Sequence, residues 1–377
     1  MTTPDASDAA STTAVAARIA RAWTVAVPLA ALVVLAATWG RDVSAPLVVV
    51  VSLLLGASVL AAVHHAEVIA HRVGEPFGSL VLAVSVTVIE VALIVTLVTS
   101  GTEGGETLAR DTVFAAIMIT TNGIVGLSLL AATLRRGRIA VFNAEGTGGA
   151  LAAVGAVATL CLVVPTFTQG RSGPEFTGGQ LAFAAVFALG LYLLFVGVQT
   201  VRHRDYFLPT EKRPDLNDDD HADPPSDRTA LISLALLVAS LVAVVGNAKV
   251  VSPSIESGVA SAGMPQAVVG IIIALLILLP ETLAAVRAAR RRRVQISLNL
   301  AYGSAMASIG LTIPVIAIAQ IWIDGPLVLG RGDTEIVLLV LTLLTSVLTV
   351  VPGRATILQG GIHLSLLAAF LFLAASP

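Results

Sequence analysis

Gly78-Ser-Leu-Val-Leu-Ala-Val-Ser-Val-Thr-Val-Ile-Glu90 and Gly270-Ile-Ile-Ile-Ala-Leu-Leu-Ile-Leu-Leu-Pro-Glu281 are two apolar stretches that each end on a lone glutamate. Each follows a glycine and proline break, Gly74-Glu75-Pro76 in one case and Gly263-Met264-Pro265 in the other. A charged side chain in the middle of a membrane-crossing helix costs about 2.5–3.5 kcal/mol on insertion scales, so residues kept there mark function by default. Interrupted apolar segments at corresponding positions of two halves are the sequence pattern of a secondary-transporter site.

The rest of the chain fits a membrane setting. Of 377 residues, 56% are hydrophobic and 12% charged, against a soluble norm of roughly 45–50% apolar and 25% charged. A span takes about 20 apolar residues, and that yardstick places eleven helices at 22–39, 46–63, 78–99, 111–134, 148–168, 178–200, 229–249, 264–287, 298–323, 335–351 and 356–375. The first follows Arg18 and Arg21 and superficially suits a signal peptide. It is longer than a signal core and leads straight to another span, so it is read as a transmembrane helix.

The expected fold is an all-α integral membrane protein with one leading helix and two five-helix repeats. Residues 1–45 hold the tail and first helix, 46–200 the first repeat, 201–228 an acidic cytoplasmic loop and 229–377 the second repeat. Five is odd, so equivalent helices of the two halves cross in opposite directions, giving inverted-topology repeats with a site near the midplane.

Several function classes drop out. A net charge of −2 offers no basic field for nucleic acid, and Lys212 and Lys249 lie in no glycine-rich phosphate loop. Cys161 is the single cysteine and sits in an apolar run, where it is read as a small hydrophobe. The spans contain no Ser/His nucleophile pair or His/Asp cluster, so no enzyme is expected. A channel is disfavoured because paired glutamates in inverted halves suit alternating access.

Glu90 and Glu281 are the only acidic residues inside the expected spans, since Asp111 and Glu335 fall at helix ends. They are the candidate metal and proton ligands. Asn122, within Thr120-Thr121-Asn122-Gly123, and Ser304 and Ser308, within Gly303-Ser304-Ala305-Met306-Ala307-Ser308, lie on the next helix of each half and are candidate oxygen ligands. A hard cation such as Ca²⁺ takes six to eight oxygens from carboxylates, amides, backbone carbonyls and water. The plainer reading of Asn122 and the serines is interhelical hydrogen bonding. Pro280 donates no N–H and loosens the turn before Glu281.

His64, Glu67 and His71 recur at i, i+3 and i+7 and share one helix face. They are candidates for a metal or pH-sensing site, against the simpler reading of a polar helix end at the interface. Glu75 and His71 are candidate accessory proton groups. His363 is read as a hydrogen-bonded packing residue. The acidic run Asp215 to Asp223 lacks the glycine and final glutamate of a calcium loop and is read as a solvated linker. Arg290 to Arg293 is read as a cytoplasmic anchor and a contact for anionic lipid.

The stretch His65-Ala66-Glu67-Val68-Ile69-Ala70-His71-Arg72-Val73-Gly74-Glu75-Pro76-Phe77-Gly78-Ser79, running on to Val88-Ile89-Glu90-Val91, resembles the bacterial calcium/proton antiporters of the ChaA-like kind within the calcium/cation antiporter superfamily. The resemblance recurs at Ala274 to Glu281 and covers nearly the whole chain. It implies eleven helices in the inner (plasma) membrane, with Glu90 and Glu281 as the cation and proton carboxylates. The wider superfamily often has Gly-Asn shortly before these glutamates, whereas this chain has Thr87-Val88-Ile89 and Leu278-Leu279-Pro280.

Two like charges in a dry cleft are strongly disfavoured when empty. One divalent cation or two protons would neutralise them, and exchange follows from that restriction. The expected partners are therefore transported Ca²⁺ and H⁺, with Na⁺ or K⁺ as the alternative cation, and membrane lipid; no separate cofactor is expected, and a homo-oligomer stays open. Basic residues are retained on the cytoplasmic side. With a cytoplasmic N-terminus, 17 Lys and Arg lie inside and five outside (Arg41, Arg110, Arg171, Lys249 and Arg331). Asp220→Cys in a Cys161→Ser background should therefore be labelled only from the cytoplasmic side; labelling only from outside would invert the topology.

Overall fold

The computed structural model describes residues 6–41, 43–74, 85, 87–92, 105–134, 138–209, 225–322 and 327–376. These residues are helical almost throughout: α1 (Ala6–Thr38), α2 (Ala45–Val73), α3 (Thr107–Thr133), α4 (Ala144–Phe167), α5 (Gly178–Arg202), α6 (Asp227–Ser261), α7 (Ala267–Ile277), α8 (Leu279–Arg290), α9 (Val294–Ala319), α10 (Asp333–Val350) and α11 (Ile357–Ala375). The only sheet among them is a two-residue pairing of β1 (Ala140–Val141) with β2 (Arg354–Ala355).

Among the described residues, eight helices are long and apolar enough to cross a membrane, and nine when α7 and α8 count as one broken span. The apolar part of α1, Ala22–Thr38, is shorter. The expected span 78–99 lies largely outside the described residues, apart from Ser85 and a helical stretch over 87–92. Glu75 and the acidic run Asp215 to Asp223 also lie outside them.

Three expected boundaries shift. The helix placed at 46–63 continues to Val73 and the one placed at 229–249 to Ser261, because polar residues at a helix end leave the backbone ladder intact. The span placed at 264–287 is two helices bent by 52°. Pro280 sits in the first turn of α8, where its missing N–H is harmless, and the chain turns at Leu278.

Packing divides the chain into two compact units along lines other than the sequence halves. The first holds residues 1–85 and 224–254. Here α1 packs on α2, and Gly246 of α6 makes room for Leu35 of α1. Polar bonds tie the same three helices together. Asn247 Nδ2 donates to the Ala31 carbonyl at 3.0 Å, and His65 contacts the Thr24 carbonyl at 3.0 Å and Ser233 Oγ at 3.4 Å. Arg72 pairs with Asp227 at the surface.

The second unit holds residues 86–223 and 255–377 and is organised around α3. This helix is 89% buried over its most apolar window, far more than any other candidate span. Glycines let its neighbours approach closely. A Cβ on Gly360 of α11 would sit 2.9 Å from the Leu130 amide of α3, and one on Gly270 of α7 would sit 3.0 Å from the Thr112 amide.

Both ends of α4 are stitched to the chain around α10. At one end, β1 pairs antiparallel with β2. At the other, Glu175 bridges Val328, the Gly330 amide donates to the Pro174 carbonyl at 3.0 Å, and the Arg331 amide donates to the Leu162 carbonyl at 3.0 Å.

Arg331 continues that second seam into the protein. It is buried, its Nη1 lies 2.6 Å from Asp111 Oδ1, and its guanidinium lies 4.2 Å from the Phe114 ring centroid. Arg110 Nε reaches the same Asp111 oxygen at 3.0 Å. Asp111, expected at a helix end, is thus inside α3 and paired. Burial pulls the Arg331 guanidinium down to about 10 while Asp111 opposes the fall, so the guanidinium stays charged at neutral pH. Removing one partner of a buried pair costs about 3–5 kcal/mol because the other charge is stranded. Asp111→Asn should lower the thermal unfolding midpoint in detergent by the corresponding amount; an unchanged midpoint would show that the pair is dispensable.

Candidate functional site

The central helix α3 carries Thr120-Thr121-Asn122-Gly123 at its middle, and there the backbone leaves α-helical geometry for a π-helical turn over Ile119–Ile124. The local sequence explains this. Threonine is stiff and its hydroxyl competes for backbone carbonyls one turn back, which bends helices. Thr120 Oγ1 donates to the Ala116 carbonyl at 2.7 Å and Thr121 Oγ1 to the Ile117 carbonyl at 2.5 Å. Single π-helical turns of this kind occur frequently at functional sites.

All six residues of the π-turn are buried. The turn packs against α8 and α9, the helices that carry Glu281 and Ser308, and on its other sides against α10 and α11.

Glu90 lies in the helical stretch over 87–92 and is 4% exposed. Its Oε1 accepts a hydrogen bond from Ser308 Oγ of α9, a contact between the first and second sequence halves. Ser304 is half-buried one turn earlier on α9. Glu281 is half-buried in the first turn of α8, directly after the break at Leu278. Acidic groups are favoured at such a helix start by the local dipole.

Asn122 faces elsewhere. Its Nδ2 donates to Thr342 Oγ1 of α10 at 2.9 Å, and its Oδ1 lies 3.1 Å from His363 Nδ1 of α11. His363 Nε2 lies 3.1 Å from Thr349 Oγ1. The structure therefore brings Ser308 to Glu90 and sets Asn122 in a polar group of its own.

His64, Glu67 and His71 are exposed on α2. No group of three or more His, Cys, Asp or Glu among the described residues could hold a metal ion. The buried histidine of that region is His65, one position from the residue the spacing singled out. Cys161 is buried and unpaired, as its apolar surroundings implied.

Besides the π-turn, sequence reasoning missed two features. The Asp111–Arg331 pair joins residues 220 positions apart, and no local pattern announces it. The polar group around Asn122 was more accessible, since Thr342, which meets Asn122, and Thr349, which meets His363, are seven residues apart and so share one face of α10.

The sodium/calcium exchanger protein family matches residues 43–201 and 232–375, which cover most of the chain and include Glu90, Ser308 and Glu281. The chain belongs to this family. Among similar proteins, a putative ionic transporter, y4hA, of Sinorhizobium fredii is 43% identical over 362 residues, covering 94% of this chain and 96% of that protein. The sodium-potassium/proton antiporter ChaA of Escherichia coli is 36% identical over 348 residues, covering 91% and 93%. The crystal structure of an H⁺/Ca²⁺ exchanger, CAX, superposes with a TM-score of 0.66 at 15% identity, covering 93% of this chain and 91% of that one. At that identity the likeness establishes a shared exchanger fold, and the helices of this multi-pass membrane protein follow it.

Proposed function

We propose that this protein is a secondary antiporter that exchanges Ca²⁺ for protons by alternating access, with Glu90 and Glu281 taking either one cation or two protons. The observation that carries the reading is the buried Glu90 carboxylate held by Ser308 from the other sequence half. A carboxylate there is costly unless it is paired or neutralised, and a hydroxyl donor alone does not supply charge. A cation or a proton does.

The seams at α4 and α10 support the inverted-repeat reading. If the halves correspond, α3, α4 and α5 match α9, α10 and α11. The pairing of the α3–α4 loop with the α10–α11 loop then becomes, on exchanging halves, the pairing of the α9–α10 loop with the α4–α5 loop. The close approach of Gly126 to the Gly360 carbonyl between α3 and α11 likewise maps onto Gly310 against the Ala188 carbonyl between α9 and α5. Under this reading the N-terminus is cytoplasmic and the protein works in the plasma membrane without enzymatic chemistry.

One alternative has its own support. The Escherichia coli relative exchanges sodium and potassium for protons, and the same two carboxylates would serve monovalent cations. Uptake into inverted vesicles under an imposed pH gradient, with Ca²⁺, Na⁺ and K⁺ compared, separates the two.

Glutamine keeps the shape of glutamate but carries no exchangeable proton or charge. Glu90→Gln and Glu281→Gln should each abolish proton-driven uptake of radiolabelled Ca²⁺ while leaving the thermal midpoint unchanged. A variant that transports at the parental rate would make that glutamate structural and end this mechanism.

A further inference from the structure

His363 is completely buried in α11, in the middle of the helical bundle, and nothing in the proposed exchange uses it. The Asn122 amide, placed with Nδ2 towards Thr342, sets the tautomer of the ring. Asn122 Oδ1 can only accept, so the proton at 3.1 Å belongs to His363 Nδ1. In the neutral ring Nε2 then accepts, and Thr349 Oγ1 donates to it at 3.1 Å. Asn122 Nδ2 donates to Thr342 Oγ1 at 2.9 Å, and Thr342 Oγ1 donates to Met118 Sδ at 3.6 Å.

The result is one chain of donors, Thr349 to His363 to Asn122 to Thr342 to Met118, with its five members on α10, α11 and α3. Asn122 and Met118 are one turn apart on α3, at the π-turn and at the residue just before it. The chain thus grips the π-turn from the side of α10 and α11, while the turn also packs against α8 and α9, which carry Glu281 and Ser308.

We propose that His363 is a positioning residue for cation binding: by holding the Asn122 amide it fixes the π-helical register of Ile119–Ile124, and the cation affinity of the Glu90–Glu281 site depends on that register. The inference rests on the two-glutamate reading of the site. A π-turn changes which backbone carbonyls lack their usual helical partner, and carbonyl oxygens are the neutral ligands that a hard cation uses. Partners that orient ligands typically matter by about 10–100-fold in metal affinity.

The test is the cation dependence of proton-driven transport in vesicles, read separately as half-saturating concentration and maximal rate. His363→Leu should raise the half-saturating Ca²⁺ concentration by about 10–100-fold with the maximal rate largely kept. His363→Gln offers both a donor and an acceptor without titrating, and should recover most of the affinity. Asn122→Ala should match His363→Leu, and the double variant should be no worse than either alone, because both act through one contact.

A parental half-saturation in His363→Leu would overturn the proposal, as would multiplying effects in the double variant. A glutamine variant with parental affinity but a collapsed maximal rate would instead make His363 a proton carrier and overturn it as well. Should His363→Leu fail to fold, Thr349→Val removes only the hydroxyl behind Nε2 and should give a smaller shift of the same kind; no shift would count against the proposal. Glu90→Gln in parallel keeps the two readings apart. If it transports, the two-glutamate site fails regardless of His363; if it is dead while the His363 variants are parental, only the positioning role fails.

Discussion

Hydrocarbon offers no hydrogen bonds, so each polar group carried into it must be satisfied by another part of the chain. Much of the second unit can be traced to that constraint. Its most buried helix, α3, also carries more buried polar side chains than any other described helix, and each is answered. Thr112, Thr120, Thr121 and Thr133 turn their hydroxyls back onto carbonyls of their own helix. Ser128 accepts from Ser297 of α9 at 2.5 Å. Asn122 is satisfied from α10 and α11. The polar residues thereby specify which helices surround α3, and the glycines at 126, 270 and 360 let those helices come close enough to do so.

Carboxylates are where this arrangement differs in kind. Asp111 meets permanent guanidinium charges, so its pair is fixed and belongs to the architecture. Glu90 meets a hydroxyl, which satisfies geometry but leaves its charge unmatched. The contrast sorts the acidic residues better than position does. A carboxylate with a built-in counter-charge has no reason to bind a mobile cation, whereas one supplied only with a dipole is poised to take a cation or a proton from outside. Glu281 starts a helix after a break, where the local dipole favours an acidic group.

The helical class and most span positions were legible because apolar runs of sufficient length are unambiguous. Glu90 and Ser308 stood out as polar residues in such runs, and the structure places them in contact. The π-turn was not legible, although Thr120-Thr121 supplied the hydroxyls for it; whether they bond back or across depends on neighbours that the sequence does not place. Asn122 shows the same limit more sharply. Its side chain was open to two readings, a cation ligand or interhelical hydrogen bonding, and its Oδ1 lies against His363, 241 positions away, where no local pattern points. The Asp111–Arg331 pair escaped for a related reason. Each residue looked like an ordinary charge near a helix end, and only long-range packing buries them together.

Two quantities that the fold keeps separate bear on which ion such a site would carry. Charge sets how many protons balance a cation, and in the proposed exchange it would reside in Glu90 and Glu281. The number and placement of neutral oxygens sets which cation fits, since Ca²⁺ takes six to eight ligands. Under the two-glutamate reading those oxygens would come from side chains and loosened backbone around the π-turn of α3, which packs against α8 and α9 and also against α10 and α11. Ion preference can therefore drift through residues that never touch the ion while the two carboxylates stay put. This explains physically how a family can contain a sodium-potassium/proton antiporter at 36% identity and share its fold with an H⁺/Ca²⁺ exchanger. If His363 positions the π-turn of α3 as proposed, that turn is a place for such drift, because side-chain hydrogen bonds from α10 and α11 reach it. A change of one or two of those bonds would then alter the presentation of carbonyls while leaving both glutamates in the chain.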